Sequence, residues 1–157
     1  MAVKSGDDGL PANDNQEIVK MAEGLGLTIE LRLLAYLAFL SLVIWVPYII
    51  GASAAKGIAA IAGYPSGDYR DLPNWIQRCH RAHMNLVENL VPFGALVLIA
   101  HVVGASNEIT VLGAQLFFWA RLAKAAIHMS GIPWLRTGAF VIGWIGCLII
   151  FWEVITV

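Results

Sequence analysis

Four long apolar runs constrain this chain more than any other feature of its sequence. They cover residues 31–51, 86–103, 109–129 and 137–156. An α-helix needs roughly 20 residues to cross about 30 Å of hydrocarbon, and each run approaches that length. Because lipid offers no partners for free backbone groups, each run is predicted to form a helix. The sequence therefore predicts an all-α integral membrane protein.

Composition supports this class and excludes others. Hydrophobic residues make up 59% of the chain and charged residues 13%, which leaves too little polar surface for a soluble domain. The net charge of −1 provides no basic footprint, so no nucleic-acid partner is expected. Cys79 and Cys147 do not suggest a disulfide framework. We expect both to be free thiols.

The chain divides into a polar tail and a membrane domain. Residues 1–27 are rich in Gly, Asp, Asn and Lys, without the apolar core of a signal peptide. Residues 28–157 contain the four predicted transmembrane helices, with kinks expected at Pro47 and Pro92. The first link, residues 52–75, contains turn residues and is predicted to be a loop. The two later links are short, which predicts an up-down bundle with both termini on one side.

Basic residues near the helix ends predict the orientation of this bundle. The residues that border the first and third links are Lys56, Arg70, Arg78, Arg81, Lys124 and Arg136. On the opposite side only Arg32 lies close to the membrane. The first and third links are therefore expected on the cytoplasmic side.

Polar residues enter the second predicted helix in the segment NWIQRCHRAHMNLVENLVPF, residues 74–93. At about 100° per residue, Arg78, Arg81, Asn85 and Glu88 fall within a sector of about 80°. Guanidinium groups and an amide suit a compact anion with more than one carboxylate, because arginine offers each carboxylate a bidentate fork. A small peptide fits this chemistry, whereas a phosphorylated metabolite or a lipid head group fits it less specifically.

The third predicted helix carries a second polar stripe, formed by Arg121, Lys124 and His128. These residues are spaced i, i+3 and i+7, so they share one face and can face the first stripe. A charged residue in the middle of the bilayer costs roughly 2.5–3.5 kcal/mol. Glu88 and Arg121 are therefore expected to pair with each other or with Arg81. The network either binds a ligand or only fixes helix packing, and both possibilities stay open here.

Cys79, His80 and His83 lie close together in the same segment and invite a metal interpretation. A fourth convergent ligand is missing, however, and the adjacent guanidinium groups oppose a cation. We expect no metal. Both histidines are predicted to lie roughly opposite the arginines and to contact head groups or the neighbouring loop.

The segment RCHRAHMNLVENLVPF resembles the signature of the MAPEG family, the membrane-associated proteins in eicosanoid and glutathione metabolism. The matching residues are Arg81, Ala82, Asn85, Glu88, Pro92 and Phe93. Arg121 and the segment GIPWLRTGAF are similar to those of bacterial members, which implies a bacterial inner membrane. The resemblance also implies a homotrimer of four-helix subunits, with glutathione bound between neighbouring subunits near the cytoplasmic side.

The resemblance implies roles for individual residues. Arg81, Asn85 and Glu88 would hold glutathione, and Arg78 flanks them. Arg121 would lie beneath the site, and Arg136 would steady the glutathione thiolate as the catalytic residue. Glutathione would be a co-substrate, and a small lipophilic electrophile would be its reaction partner.

The chain also departs from the family pattern at three positions near the implied site. Lys124 stands where many members have a histidine, His128 where they have a tyrosine, and Phe140 where some have another tyrosine. His128 is still counted among the glutathione-binding residues. The leading hypothesis is a glutathione-dependent membrane transferase or peroxidase.

The departures favour an alternative hypothesis, in which the protein is a non-catalytic MAPEG-like membrane protein. It would bind a lipid or serve as a subunit of a larger membrane complex. A small transporter is a third hypothesis, but four helices without an inverted repeat give it little support.

Overall fold

The computed structural model describes residues 26–63, 69–130 and 133–157, and the side chains of residues 128–136 lie outside this description. The helices are α1 (Ile29–Val43), α2 (Val46–Lys56), α3 (Ile58–Ala62), α4 (Asn74–Val102), α5 (Glu108–Ser130) and α6 (Pro133–Ile155). The described ranges contain no strand. This agrees with the prediction of an all-α chain. Most of the tail, residues 1–25, falls outside the described part.

The first apolar run forms two helices, α1 and α2. Thr28 begins α1, since its Oγ1 accepts a hydrogen bond from the backbone N–H of Leu31 at 3.4 Å, as expected of an N-cap residue. A turn at residues 44–45 separates α1 from α2. Pro47 lies in the first turn of α2, where its missing N–H is tolerated. The interruption predicted at Pro47 is therefore present, as a break between two helices.

The first link is shorter than predicted. Residues 52–75 were expected to form a loop, but α2 continues to Lys56 and α3 extends from Ile58 to Ala62. Alanine and isoleucine predominate in this stretch, and alanine is the strongest helix former. Between the helices, Gly57 has a φ of 85°, which an L-residue with a side chain rarely adopts. Within this link, the Pro, Asp and Asn residues that are typical of turns begin only after Ala62.

Within the described ranges, three helical segments are long and apolar enough to cross a membrane: Ile29–Lys56, Asn74–Val102 and Thr137–Ile155. They confirm the integral membrane class. The helix α5 occupies the third predicted run and has 23 residues, but it is not among these segments. It carries Arg121 and Lys124 inside its length, and their polarity lowers its hydropathy. The helix α4 continues without interruption through Pro92.

The core lies where α1, α4, α5 and α6 meet. Its buried residues include Leu37, Phe93, Phe117 and Ile150. The rings of Phe93 and Phe117 stack with centroids 4.0 Å apart. At another contact, a Cβ atom on Gly113 would lie 2.8 Å from the carbonyl oxygen of Gly146. Glycine thus allows the backbones of α5 and α6 to approach closely.

A polar cluster joins distant parts of the chain at one end of the molecule. Thr110 Oγ1 donates to Glu30 Oε1 at 2.6 Å, and Asn107 Nδ2 donates to Glu153 Oε2 at 2.5 Å. Glu30 lies at the start of α1, Thr110 at the start of α5 and Glu153 near the end of α6. The link between α4 and α5 therefore lies beside both the first and the last described helical turns. This neighbourhood agrees with antiparallel long helices.

Candidate functional site

The predicted polar stripe on α4 contains both exposed and half-buried residues. Arg81 and Glu88 are exposed, whereas Arg78 and Asn85 are half-buried. Asn85 therefore connects the outer face of α4 with the interior. Its backbone carbonyl accepts a hydrogen bond from Asn89 Nδ2 at 2.7 Å, which is a contact within the helix.

Arg121 lies almost fully inside the described structure, with 2% of its surface exposed. Its Nη1 donates to Asn85 Oδ1 at 3.5 Å. The guanidinium carbon lies 4.7 Å from the centroid of the Phe117 ring and 5.6 Å from that of Phe140. The backbone of Gly143 forms a further wall, because a Cβ atom there would lie 2.7 Å from Nη2 of Arg121. These contacts hold the guanidinium among α4, α5 and α6.

Lys124 lies one helical turn after Arg121 and is also buried. Its Nζ is 4.4 Å from the centroid of the Phe140 ring, a distance that suits a cation–π interaction. Arg121 and Lys124 line a small cavity of about 10 Å³ together with Ala82, Asn85, Leu86 and Ala125. The two polar stripes therefore meet, as predicted, at Asn85, Arg121 and Lys124.

The ion pairs expected of Glu88 with Arg121 or Arg81 are absent from the described part of the structure. Glu88 is exposed, and among the described residues no ion pair joins it to Arg121 or Arg81; the described ion pair is that of Lys56 with Asp71. Glu88 lies three residues after Asn85, which rotates it about 60° away from Asn85 on the helix. Asn85 therefore faces Arg121, and Glu88 faces outward.

Sequence reasoning did not find the partners of the two histidines. Tyr48 Oη lies within hydrogen-bonding distance, 3.0 Å, of His83 Nδ1. The rings of Tyr69 and His80 stack with centroids 4.3 Å apart, and Tyr48 meets the edge of Tyr69 at 5.9 Å. The predicted contact with the neighbouring link is thus confirmed for His80, whereas His83 contacts Tyr48 on α2. For Tyr48, the signal in the sequence was a polar hydroxyl group within the first apolar run.

A larger cavity lies beside this aromatic cluster. It has a volume of about 230 Å³ and is lined by Tyr69, Arg70, Gln77, His80 and Arg81. Gln77 Nε2 donates to the backbone carbonyls of Arg70 at 3.0 Å and Leu72 at 2.7 Å. These two bonds hold the link against the start of α4. His80 and Arg81 line the same cavity, so the predicted separation of histidines and arginines on opposite sides does not hold for this pair.

The side chains of His128 and Arg136 lie outside the described residues. Their assigned roles, glutathione binding and thiolate stabilisation, stay predictions.

Within the described residues, His, Cys, Asp and Glu side chains form no group of three or more that could hold a metal ion. Cys79 and Cys147 are free cysteines, as predicted.

The helices and this site define a membrane protein with cationic and aromatic side chains between its helices. Residues 33–156 match the model of the MAPEG family, which covers most of the chain. The protein therefore belongs to the MAPEG family, and the resemblance seen in the sequence is confirmed.

Two curated relatives are similar to parts of this chain. Microsomal glutathione S-transferase 1 of Sus scrofa is 31% identical over 70 residues, which cover 44% of this chain and 45% of the relative. Microsomal glutathione S-transferase 1 of Bos taurus is 31% identical over 88 residues, which cover 53% of this chain and 57% of the relative. The chain thus spans about half the length of the curated relatives it matches.

Proposed function

We propose that this protein is a glutathione-dependent membrane transferase or peroxidase that acts on lipophilic electrophiles. The observation that carries the proposal is the junction of Asn85 with Arg121, 3.5 Å apart, between two helices of a MAPEG chain. Arg81, an exposed cation, lies one turn before Asn85 on the same helix. A peptide with two carboxylates and an amide backbone suits this set of donors. The similarity to microsomal glutathione S-transferase 1 supports glutathione as that peptide.

The proposed architecture is an up-down bundle that crosses the membrane four times and assembles as a homotrimer. The helix α5 has 23 residues, which is long enough for a span, and its cations Arg121 and Lys124 are buried within the chain. The cavity beside Arg81 has a volume of about 230 Å³, whereas small-molecule pockets typically have roughly 300–1,000 Å³. A neighbouring subunit over the exposed Arg81 and Glu88 would complete the site.

The proposed orientation places the first and third links in the cytoplasm of a bacterial cell, with the protein in the inner membrane. Glutathione would then reach Arg81 from the cytoplasm, and the electrophile would arrive through the bilayer. Lys56, Arg70, Arg78 and Arg81 lie near the first link, which supports this orientation through the positive-inside rule.

The chemistry begins with ionisation of the glutathione thiol. A free thiol has a pKa of about 8.5, and lowering it to about 6.5 requires roughly 2.7 kcal/mol at about 1.36 kcal/mol per unit. One charge-assisted hydrogen bond contributes about 1.5–3 kcal/mol, and we assign this role to Arg136. The thiolate then forms a bond to the electrophilic carbon, and the leaving group departs with its electron pair.

Binding tests the proposal most directly. Calorimetry with purified protein should detect glutathione binding, and Arg81→Ala should weaken it at least tenfold because a charged carboxylate partner is lost. Arg32→Ala is the matched control, since Arg32 is also exposed but lies on α1, outside the proposed site. Equal affinity of the wild type and Arg81→Ala would refute the site. Turnover of a generic aryl halide by the wild type then tests the transferase activity.

A second candidate function is a non-catalytic protein that binds a lipid or joins a larger membrane complex. Phe140 favours it, because a phenylalanine there contacts Lys124 but offers a ligand no hydroxyl group. In this case the thiolate absorbance would not appear when glutathione is added, and the aryl halide would not be converted. The same two measurements therefore distinguish the candidates.

A further inference from the structure

Two buried cations on α5 share a cavity that is too small for a peptide. Arg121 is 2% exposed and Lys124 is 6% exposed. The cavity that they line has a volume of about 10 Å³, close to the roughly 10–15 Å³ that one water molecule requires. It therefore suits a single atom or a very small group of a ligand.

The hydrogen bonding of Arg121 is incomplete around this cavity. Its Nε is buried and has no hydrogen-bond partner among the described residues, and its Nη1 reaches Asn85 only at 3.5 Å. The nearby rings of Phe117 and Phe140 present faces to the guanidinium, and these faces do not accept a conventional hydrogen bond. A buried donor without a partner is costly, so an acceptor supplied by a ligand would stabilise this arrangement.

The cavity also favours a negative charge. Among the described residues that line it are Arg121 and Lys124 but no acidic residue, and Glu88 is exposed on the outer face of α4. The ammonium group of Lys124 lies over the Phe140 ring and has three donors. A contact with a ligand atom is therefore compatible with its other contacts.

Asn85 connects this cavity with the proposed peptide site. It lines the cavity and lies one turn after Arg81 on α4. A peptide bound at Arg81 and Asn85 can thus direct one short side chain inward, between α4 and α5. In glutathione the cysteine side chain has this length, and its sulfur is the only atom that must carry a negative charge for the proposed reaction.

We propose that Lys124, together with Arg121, binds the sulfur of glutathione as a thiolate in this cavity. The inference rests on the proposed function and adds a catalytic residue, Lys124, to it. The S–H bond breaks, the electron pair stays on sulfur and the proton passes to solvent. The thiolate then forms the carbon–sulfur bond, and the leaving group takes the electron pair of its own bond. The position where this chain departs from its family thus supplies a fixed positive charge.

The pH at which bound glutathione ionises tests this inference. Absorbance in the thiolate band is measured against pH for the full chain with glutathione, and the spectrum with S-methylglutathione, which cannot ionise, is subtracted. Lys124→Met should raise the pH of half-ionisation by about one unit or more, a tenfold change in the ionisation constant. Its affinity for S-methylglutathione should stay within about twofold of that of the wild type, since the peptide contacts are unchanged.

Three further variants complete the test. Lys124→Arg retains the charge and should ionise near the wild-type pH. Lys124→Gln should behave like Lys124→Met and serves as the second variant if the methionine protein does not fold. Lys56→Met is the matched control, because Lys56 lies on α2 with Asp71 as its partner, and it should ionise glutathione as the wild type does.

The possible outcomes separate the inference from the proposed function. If Lys124→Met and Lys124→Gln ionise glutathione at the wild-type pH while Arg136→Met does not, Arg136 alone holds the thiolate and the inference is overturned. If the wild type binds glutathione but forms no thiolate, the inference is likewise overturned. If the wild type binds neither glutathione nor S-methylglutathione, the proposed function itself fails.

Discussion

Single residues decide which polar groups of this protein have partners. Lys124 and Phe140 contact each other, with Nζ 4.4 Å from the ring centroid. Cation–π contacts contribute about 0.5–1 kcal/mol at exposed sites and about 2 kcal/mol when desolvated. The ring of Phe140 therefore stabilises the ammonium group of Lys124.

Tyr48 is the residue whose single hydrogen bond is easiest to test. It is 6% exposed, and its hydroxyl lies 3.0 Å from His83 Nδ1. Tyr48→Phe should lower the free energy of unfolding by about 0.5–1.5 kcal/mol, because the hydrogen bond is lost while the ring contacts remain. Equilibrium unfolding in mixed micelles measures this change.

Tyr36→Phe is the matched control for Tyr48→Phe. Tyr36 is 61% exposed, and its described interaction is a ring contact with Phe118, which phenylalanine retains. The control should unfold like the wild type. Equal losses in the two variants would show that the bond between Tyr48 and His83 contributes nothing.

At the scale of the elements, α5 carries two buried cations, Arg121 and Lys124, and the neighbouring helices accommodate their charges. The helix α4 supplies Asn85 to Arg121, and α6 supplies Phe140 and the backbone of Gly143. Periodicity predicted which residues of α4 and α5 share a face. It did not predict how far each helix is rotated toward its neighbour, which is why Asn85, and not Glu88, contacts Arg121.

Gly143 tests the importance of the contact between α5 and α6. A Cβ atom at Gly143 would lie 2.7 Å from Nη2 of Arg121, so Gly143→Ala should displace the guanidinium from Asn85. We expect weaker glutathione binding, by about threefold to tenfold, measured by calorimetry. This corresponds to about 0.7–1.4 kcal/mol.

Gly138 offers a matched control on the same helix. A Cβ atom there would meet no atom within 4 Å, so Gly138→Ala should leave glutathione affinity unchanged. Alanine in place of glycine within a helix also stabilises by roughly 0.5–1 kcal/mol, so the control should melt at or above the wild-type temperature. Unchanged affinity in Gly143→Ala would mean that Arg121 does not depend on this contact.

At the scale of the whole molecule, one end of the helix assembly contains a cavity and the other end contains a polar cluster. One end carries Tyr69, His80 and Arg81 around the larger cavity, and Tyr48 packs against Tyr69 there. The other end joins the first and last described helices through Glu30, Thr110, Asn107 and Glu153. Glu30 is 3% exposed, and a buried carboxylate requires hydrogen bonds. The second cluster therefore stabilises the arrangement on which the first depends.

Thr110→Val tests this structural cluster. Valine keeps the shape of threonine but removes the hydroxyl that donates to Glu30 at 2.6 Å. The carboxylate would lose a partner, so the free energy of unfolding should fall by about 1–3 kcal/mol. Thermal unfolding of the purified protein measures the loss.

The control for this substitution is Thr137→Val, at an exposed threonine of α6. It should leave the melting temperature within the experimental error of the wild type. A Thr110→Val protein as stable as this control would show that Glu30 does not require the hydroxyl.

The sequence by itself determined the membrane class, most of the helix positions and the two polar stripes. These features depend on local composition and on the 3.6-residue period of a helix, so they can be read along the chain. Only the tertiary structure decided that Arg121 contacts Asn85 while Glu88 faces outward, that Tyr48 and Tyr69 contact the histidines, and that Lys124 lies over Phe140. These contacts depend on the rotation of each helix against its neighbours and on the path of the first link. Neither is encoded in the periodicity of a single helix.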